Sequence, residues 1–140
     1  MGPVAEYIFL VLEPFKLGSL HYILYKTQLT LNLSERVGIF VDVAEGMIFL
    51  HNKKLLHCFL NSYSVLISEK YRAKIGNLEH AQEYGSQRST VNSNEVQLRW
   101  SAPEQLLAEP ANTAADVYRF VALDSLLCTR AESINASGCE

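Results

Sequence analysis

His57-Cys58-Phe59-Leu60-Asn61-Ser62-Tyr63-Ser64-Val65-Leu66-Ile67 decides how the chain is read, because a hydroxyl-rich polar loop runs there straight into a short apolar strand. Ser68-Glu69-Lys70 can turn, and Arg72-Ala73-Lys74-Ile75 follows, so residues 65–75 are predicted to form a β-hairpin. Arg72 and Lys74 alternate with Ala73 and Ile75, which places the two charges on a solvated strand face. Upstream, Val37, Val41, Ala44, Ile48 and Leu50 recur at helical spacing behind Ser34, a residue suited to cap a helix. Gly46 inside that helix costs about 1 kcal/mol relative to alanine, and the periodicity outweighs it. Further upstream, residues 7–12 are apolar, β-branched or aromatic and stop at Glu13-Pro14, the pattern of a buried strand. Gly18-Ser19 then leads into a short amphipathic stretch from Leu20 to Tyr25. Downstream, the Ser-, Asn- and Gln-rich residues 82–97 read as a loop. Pro103 opens a short helix, and a longer one starts near Thr113 and runs through Val117, Phe120, Val121 and Leu127.

The chain has 140 residues, 49% of them hydrophobic, which suffices for one packed domain without a metal or disulfide staple. Twelve basic against fifteen acidic residues give a net charge of −3, with no basic stripe of the kind that nucleic acid or an anionic membrane surface selects. The apolar run at 7–12 is far too short to span a bilayer. Cys58, Cys128 and Cys139 are odd in number and share no ligand spacing, so a reduced, cytoplasmic setting is expected.

The order of these segments resembles part of a protein kinase. Leu50-His51, a spacer, and His57 to Leu66 sit where that family has the catalytic loop H-R-D-L-x-x-x-N. Lys74-Ile75-Gly76-Asn77-Leu78-Glu79 sits where a strand enters D-F-G. Arg99-Trp100-Ser101-Ala102-Pro103-Glu104 is similar to the A-P-E region, and Ala115-Asp116-Val117-Tyr118-Arg119-Phe120 to the start of the helix that anchors the C-terminal lobe. The triplet Leu60-Asn61-Ser62 resembles the tyrosine-kinase-like group, and the wider loop resembles its integrin-linked and testis-expressed pseudokinases, both scaffolds that carry ankyrin repeats.

What the resemblance implies for chemistry lies in the departures. Phosphoryl transfer is mainly positioning and charge neutralisation. Phe59 stands at the position of the base, Asn61 and Ser64 stand in the degenerate loop with Ser64 at the metal-binding asparagine, and Asn77 replaces the D-F-G aspartate. Losing the base alone typically costs about 10²–10⁴ in rate. No catalytic residue and no metal ligand is therefore assigned. Cys58 replaces an arginine that clamps a phosphorylated loop in many relatives, leaving none in that pocket for Ser86, Ser89, Thr90 or Ser93; it is read as a plain buried cysteine. His57 is read as a packed core histidine rather than a metal ligand. The resemblance puts His57 and Leu78 in a hydrophobic stack and gives Asp116 the task of holding the loop backbone around His57. It makes Leu12-Glu13-Pro14-Phe15 the hinge, so that Glu13, Phe15 and Leu66 form a vestigial adenine pocket.

The expected fold is α+β, mainly α: an incomplete kinase C-terminal lobe with hinge strand, long helix, β-hairpin and degenerate activation segment. Residues 1–130 form the partial domain, lacking most of the N-lobe and the last C-lobe helices, and 131–140 a polar tail. Asp124 and Ser125 stand where the anchoring helix is normally apolar, and the whole is expected to be a piece or isoform of a longer protein. The expected function is a catalytically inactive scaffold that works through other proteins, with no cofactor. The alternative is ATP bound without turnover, or residual kinase activity. A lobe cut this way exposes apolar helix faces, so self-association is expected.

Overall fold

The computed structural model describes residues 9–86, 98–107 and 109–136, with backbone alone from 130 onward. In chain order the elements are β1 (Gly18–Ser19), α1 (Leu20–Lys26), α2 (Leu33–Asn52), β2 (Leu55–Leu56), β3 (Val65–Ile67), β4 (Ala73–Ile75), a 3₁₀ turn (Leu78–His80), β5 (Gln82–Glu83), α3 (Pro103–Leu106) and α4 (Thr113–Ala136).

The long helix α2 starts two residues earlier than a Ser34 cap implies, with Asn32 as its cap. Asn32 Oδ1 accepts the Glu35 N–H (2.9 Å) and Glu35 Oε2 accepts the Asn32 N–H (2.8 Å), a reciprocal capping box. Three residues after Ser34 stands Val37, which cannot return that bond, so the asparagine wins. The buried stripe also differs from the expected one: Ile39, Val43, Met47 and Leu50 face the core, whereas Val37, Val41 and Ile48 are exposed. Apolar residues occupy most of the helix circumference, so periodicity offers two faces and the packing of the hairpin selects one. Gly46 is where α2 meets β4. A Cβ there would lie 3.1 Å from Ile75 Cγ1, so the missing side chain admits the close approach.

The hairpin forms as predicted, with Val65 opposite Ile75 and Ile67 opposite Ala73, and β1 adds antiparallel on the other side of β3. Tyr71, at φ 54°, closes its turn. Arg72 stands just before β4 and remains exposed, but its guanidinium grips Asp42 on α2, and Asp42 Oδ2 also accepts the Ala73 N–H (2.8 Å). A second, two-stranded sheet pairs Leu55 with Glu83 and Leu56 with Gln82. Residues 82–83 are thus strand rather than loop, because Leu55-Leu56 offers a free edge to satisfy their backbone; the expectation for 87–97 lies outside the described residues.

Residues 9–12 depart most from expectation. They form no strand, and their side chains are largely exposed, Val11 at 91%. A strand needs a neighbour for its N–H and C=O groups, and among the described residues none runs beside this stretch. The core gathers Leu20 and Ile23 of α1, the α2 stripe, Leu60, Val65 and Ile67, and Leu123 and Leu127 of α4. α4 is capped by Asn112, whose Oδ1 accepts the Ala115 N–H (2.8 Å). Its backbone stays helical to Ala136, into the segment read as a polar tail. Phe120 stacks on Phe40 (4.5 Å) while Val117 and Val121 face outward.

Candidate functional site

Asp116, at the start of α4, organises the loop that precedes β3. Its carboxylate is buried and accepts three hydrogen bonds: the His57 N–H and His51 Nε2 at Oδ2, and the Cys58 N–H at Oδ1, all at 2.9 Å. The expected role of Asp116 is thus observed, and His51 joins it. The two loop N–H bonds matter because Cys58 is held at φ 64°, a conformation that a side-chain-bearing residue adopts only when its surroundings impose it.

His57 is fully buried, as expected. Its Nδ1 accepts the Phe59 N–H (3.2 Å), which leaves Nε2 to donate to the Gly76 carbonyl (3.1 Å). Both ring nitrogens are engaged within the protein, tying the loop to the strand exit at Gly76. Burial holds its pKa below the ordinary histidine value, against the pull of Asp116. Leu78, expected to stack with His57, is 45% exposed and stands outside the buried core cluster. Asn77 is left-handed (φ 56°, ψ 49°) and turns the chain into the 3₁₀ helix, carrying Leu78 outward.

The four degenerate positions fall at two ends of this arrangement. Phe59 places its ring 4.4 Å from His80 and 5.8 Å from the Arg119 guanidinium, so an aromatic plug fills the position of the base. Asn61 and Ser64 close on each other. Asn61 Oδ1 accepts the Tyr63 and Ser64 N–H groups (2.8 and 3.1 Å), its Nδ2 donates to the Phe59 carbonyl (3.1 Å), and Ser64 Oγ accepts the Asn61 N–H (2.9 Å) and donates to the Asn61 carbonyl (2.9 Å). Both are buried, and their polar atoms are used to shape the loop. Asn77 is exposed, and its side chain makes no cap bond. Among the described residues no group of three His, Cys, Asp or Glu side chains could hold a metal ion.

Cys58 is buried as read, and burial, helped by Asp116, pushes its thiol up to about 12. Arg119 went unrecognised in the sequence. It is buried, donates to Ser101 Oγ (3.2 Å) and Gln105 Oε1 (3.1 Å), and lies close enough to Asp116 to feel its charge; burial lowers its pKa. The signal was a lone arginine one turn after Asp116 on a helix otherwise read as core.

Glu13, Phe15 and Leu66 are brought together through Lys74. The Lys74 ammonium pairs with the exposed Glu13 carboxylate and lies 5.9 Å from the centre of the Phe15 ring, and Leu66 is its cross-strand partner. Leu66 also fills the space beside Gly76, where a Cβ would lie 3.2 Å from Leu66 Cδ1.

A family model described as protein tyrosine and serine/threonine kinase matches residues 2–134. Among similar proteins are the serine/threonine-protein kinase CTR1 of Arabidopsis thaliana, 34% identical over 86% of this chain, and the inactive serine/threonine-protein kinase TEX14 of Mus musculus, 31% identical over 82%. The megakaryocyte-associated tyrosine-protein kinase of Mus musculus is 28% identical over 81%. The matched stretches span only 15%, 8% and 22% of those three proteins. The fold corresponds to an incomplete kinase lobe, and no described helix is long and apolar enough to cross a membrane.

Proposed function

We propose, from the premise that the chain belongs to the protein tyrosine and serine/threonine kinase family, that this member is a catalytically inactive module acting in the cytoplasm through contacts with other proteins. The observation that carries the reading is the closed loop: Phe59 packs near both Arg119 and His80, and Asn61 and Ser64 spend their polar atoms within the loop itself. A phosphoryl acceptor needs a carboxylate to orient its hydroxyl and ligands for the metal; a phenyl ring cannot accept a proton, the Ser64 hydroxyl is already bonded within the loop, and a neutral asparagine in place of the aspartate is a poor Mg²⁺ ligand. That one relative is itself named inactive is in keeping with this reading, although others are named as kinases. Neither nucleic acid nor membrane insertion is part of it.

Incubation of the purified chain with labelled ATP, Mg²⁺ and a generic protein acceptor tests this directly. No transfer above buffer is expected. Transfer that co-purifies with the folded chain and disappears in Asn77→Ala would overturn it.

Nucleotide held without turnover is the second reading, favoured by the meeting of Glu13, Phe15 and Leu66 around Lys74. A ligand at about 100 times its Kd raises stability by about 2.7 kcal/mol, so a melt in millimolar ATP and Mg²⁺ decides. An unchanged midpoint would rule the second reading out and leave the first standing.

A further inference from the structure

A cavity of about 570 Å³ lies between α1, the loop residues Ser62 and Tyr63, the Arg99-Trp100 pair and the outer half of α4. That is within the range of small-ligand sites, roughly 300–1,000 Å³. One wall is a column of stacked rings: His21 lies 3.9 Å from Tyr63 with planes 19° apart, and 4.6 Å from Tyr25 with planes 25° apart. The residue is anchored to the loop, since the His21 backbone N–H donates to the Ser62 carbonyl (2.8 Å), and the Ser62 hydroxyl stands 3.5 Å from the ring Nδ1. Burial and the neighbouring Lys26 both lower the His21 pKa, so the ring stacks as neutral imidazole near pH 7.

Among the described residues the charges around this wall are of one sign: Arg99 lines the cavity, Lys26 is near enough to act on His21, and no described aspartate or glutamate is among the lining residues. An aromatic cage suits a cation, but Arg99 opposes one. A purely apolar guest would cover the guanidinium without pairing it, which is costly. An anion joined to a flat ring satisfies both features, through stacking and a charge-assisted bond.

We propose that this cavity binds a planar aromatic group bearing a negative charge, an aryl phosphate or aromatic carboxylate, with the ring against the Tyr25–His21–Tyr63 column and the anion at Arg99. The site uses none of the degenerate loop positions and is independent of whether the chain transfers phosphate.

Trp100 is the single tryptophan of the chain and lines the cavity, so its emission reports from inside. The full chain is titrated with phenyl phosphate, with inorganic phosphate (charge without ring) and benzylamine (ring with the opposite charge) as comparisons. Phenyl phosphate is expected to give a saturable change and to bind at least about tenfold tighter than either. Arg99→Glu is expected to weaken it by a similar factor with the melt unchanged, and Ser125→Phe, which fills the cavity from an exposed helix position, to abolish it. A tyrosine-phosphorylated peptide binding as well as phenyl phosphate assigns the site to a protein-borne group; binding of the free compound alone assigns it to a small aryl anion. No saturable response, an equal response to either comparison compound, or undiminished binding by Arg99→Glu overturns the proposal.

Discussion

Asp116 ties segments far apart in sequence through one side chain, since its two oxygens satisfy two loop N–H groups and a histidine ring. Asp116→Asn keeps the size but leaves one acceptor oxygen, so a buried donor loses its partner at about 1–3 kcal/mol; urea denaturation measures it, and a loss below experimental error would show that water replaces the carboxylate. His57 gives a pH signature of known sign. Its folded pKa lies below the ordinary value of 6.5, so the unfolded chain takes up the proton first. Stability is therefore full above about pH 7 and falls as the pH drops through the unfolded value. His21, shifted the same way, adds to the slope. Urea midpoints between neutral and mildly acid pH check this, with His57→Asn expected to flatten the curve. The role of Asp116 was legible because its motif fixes both its position and its task. Arg119 was not, because its partners Ser101 and Gln105 belong to another segment and only folding brings the guanidinium beside Phe59.

Between elements, the contact of α2 with the hairpin rests on an asymmetric clamp. Asp42 is well buried and accepts from Arg72 and from the Ala73 N–H, whereas Arg72 lies largely in solvent. Asp42→Ala strands a backbone donor next to the core and is expected to cost about 1–3 kcal/mol. Arg72→Ala removes only a screened surface partner and should cost clearly less. Equal losses would mean that the ion pair, not the backbone bond, carries the contact. At Gly46 the same interface is read sterically: Gly46→Val pushes methyl groups into Ile75, and overpacking of this kind costs about 1–3 kcal/mol, again by urea melt. The hairpin could be read from sequence because its register depends on residues a few positions apart. The buried face of α2 could not, since Val37, Val41 and Ile48 are as apolar as Ile39, Val43 and Met47, and only the elements that pack on the helix distinguish them. The run at 9–12 failed for a related reason, strand propensity without a strand to pair with.

For the whole molecule, the same apolar surplus sets behaviour in solution. Val37, Val41 and Ile48 form one exposed row on α2, with Ile48 60% accessible; Val117 and Val121 form another on α4, and Phe9 to Leu12 stand out from the body. Contiguous apolar area of this kind drives association unless covered, and a net charge of −3 supplies little repulsion. The chain is expected to show concentration-dependent self-association in sedimentation velocity, weakening as temperature falls because apolar burial loses strength on cooling. Ile48→Glu interrupts the α2 row without touching the core and should shift the distribution toward monomer, with stability changed by less than about 0.5 kcal/mol. A parent chain that stays monomeric up to its solubility limit would show that these rows are too fragmented to act as a surface. If Ile48→Glu leaves association intact while a paired charge at Leu10 and Val11 removes it, the contact belongs to the extended segment and not to the helix.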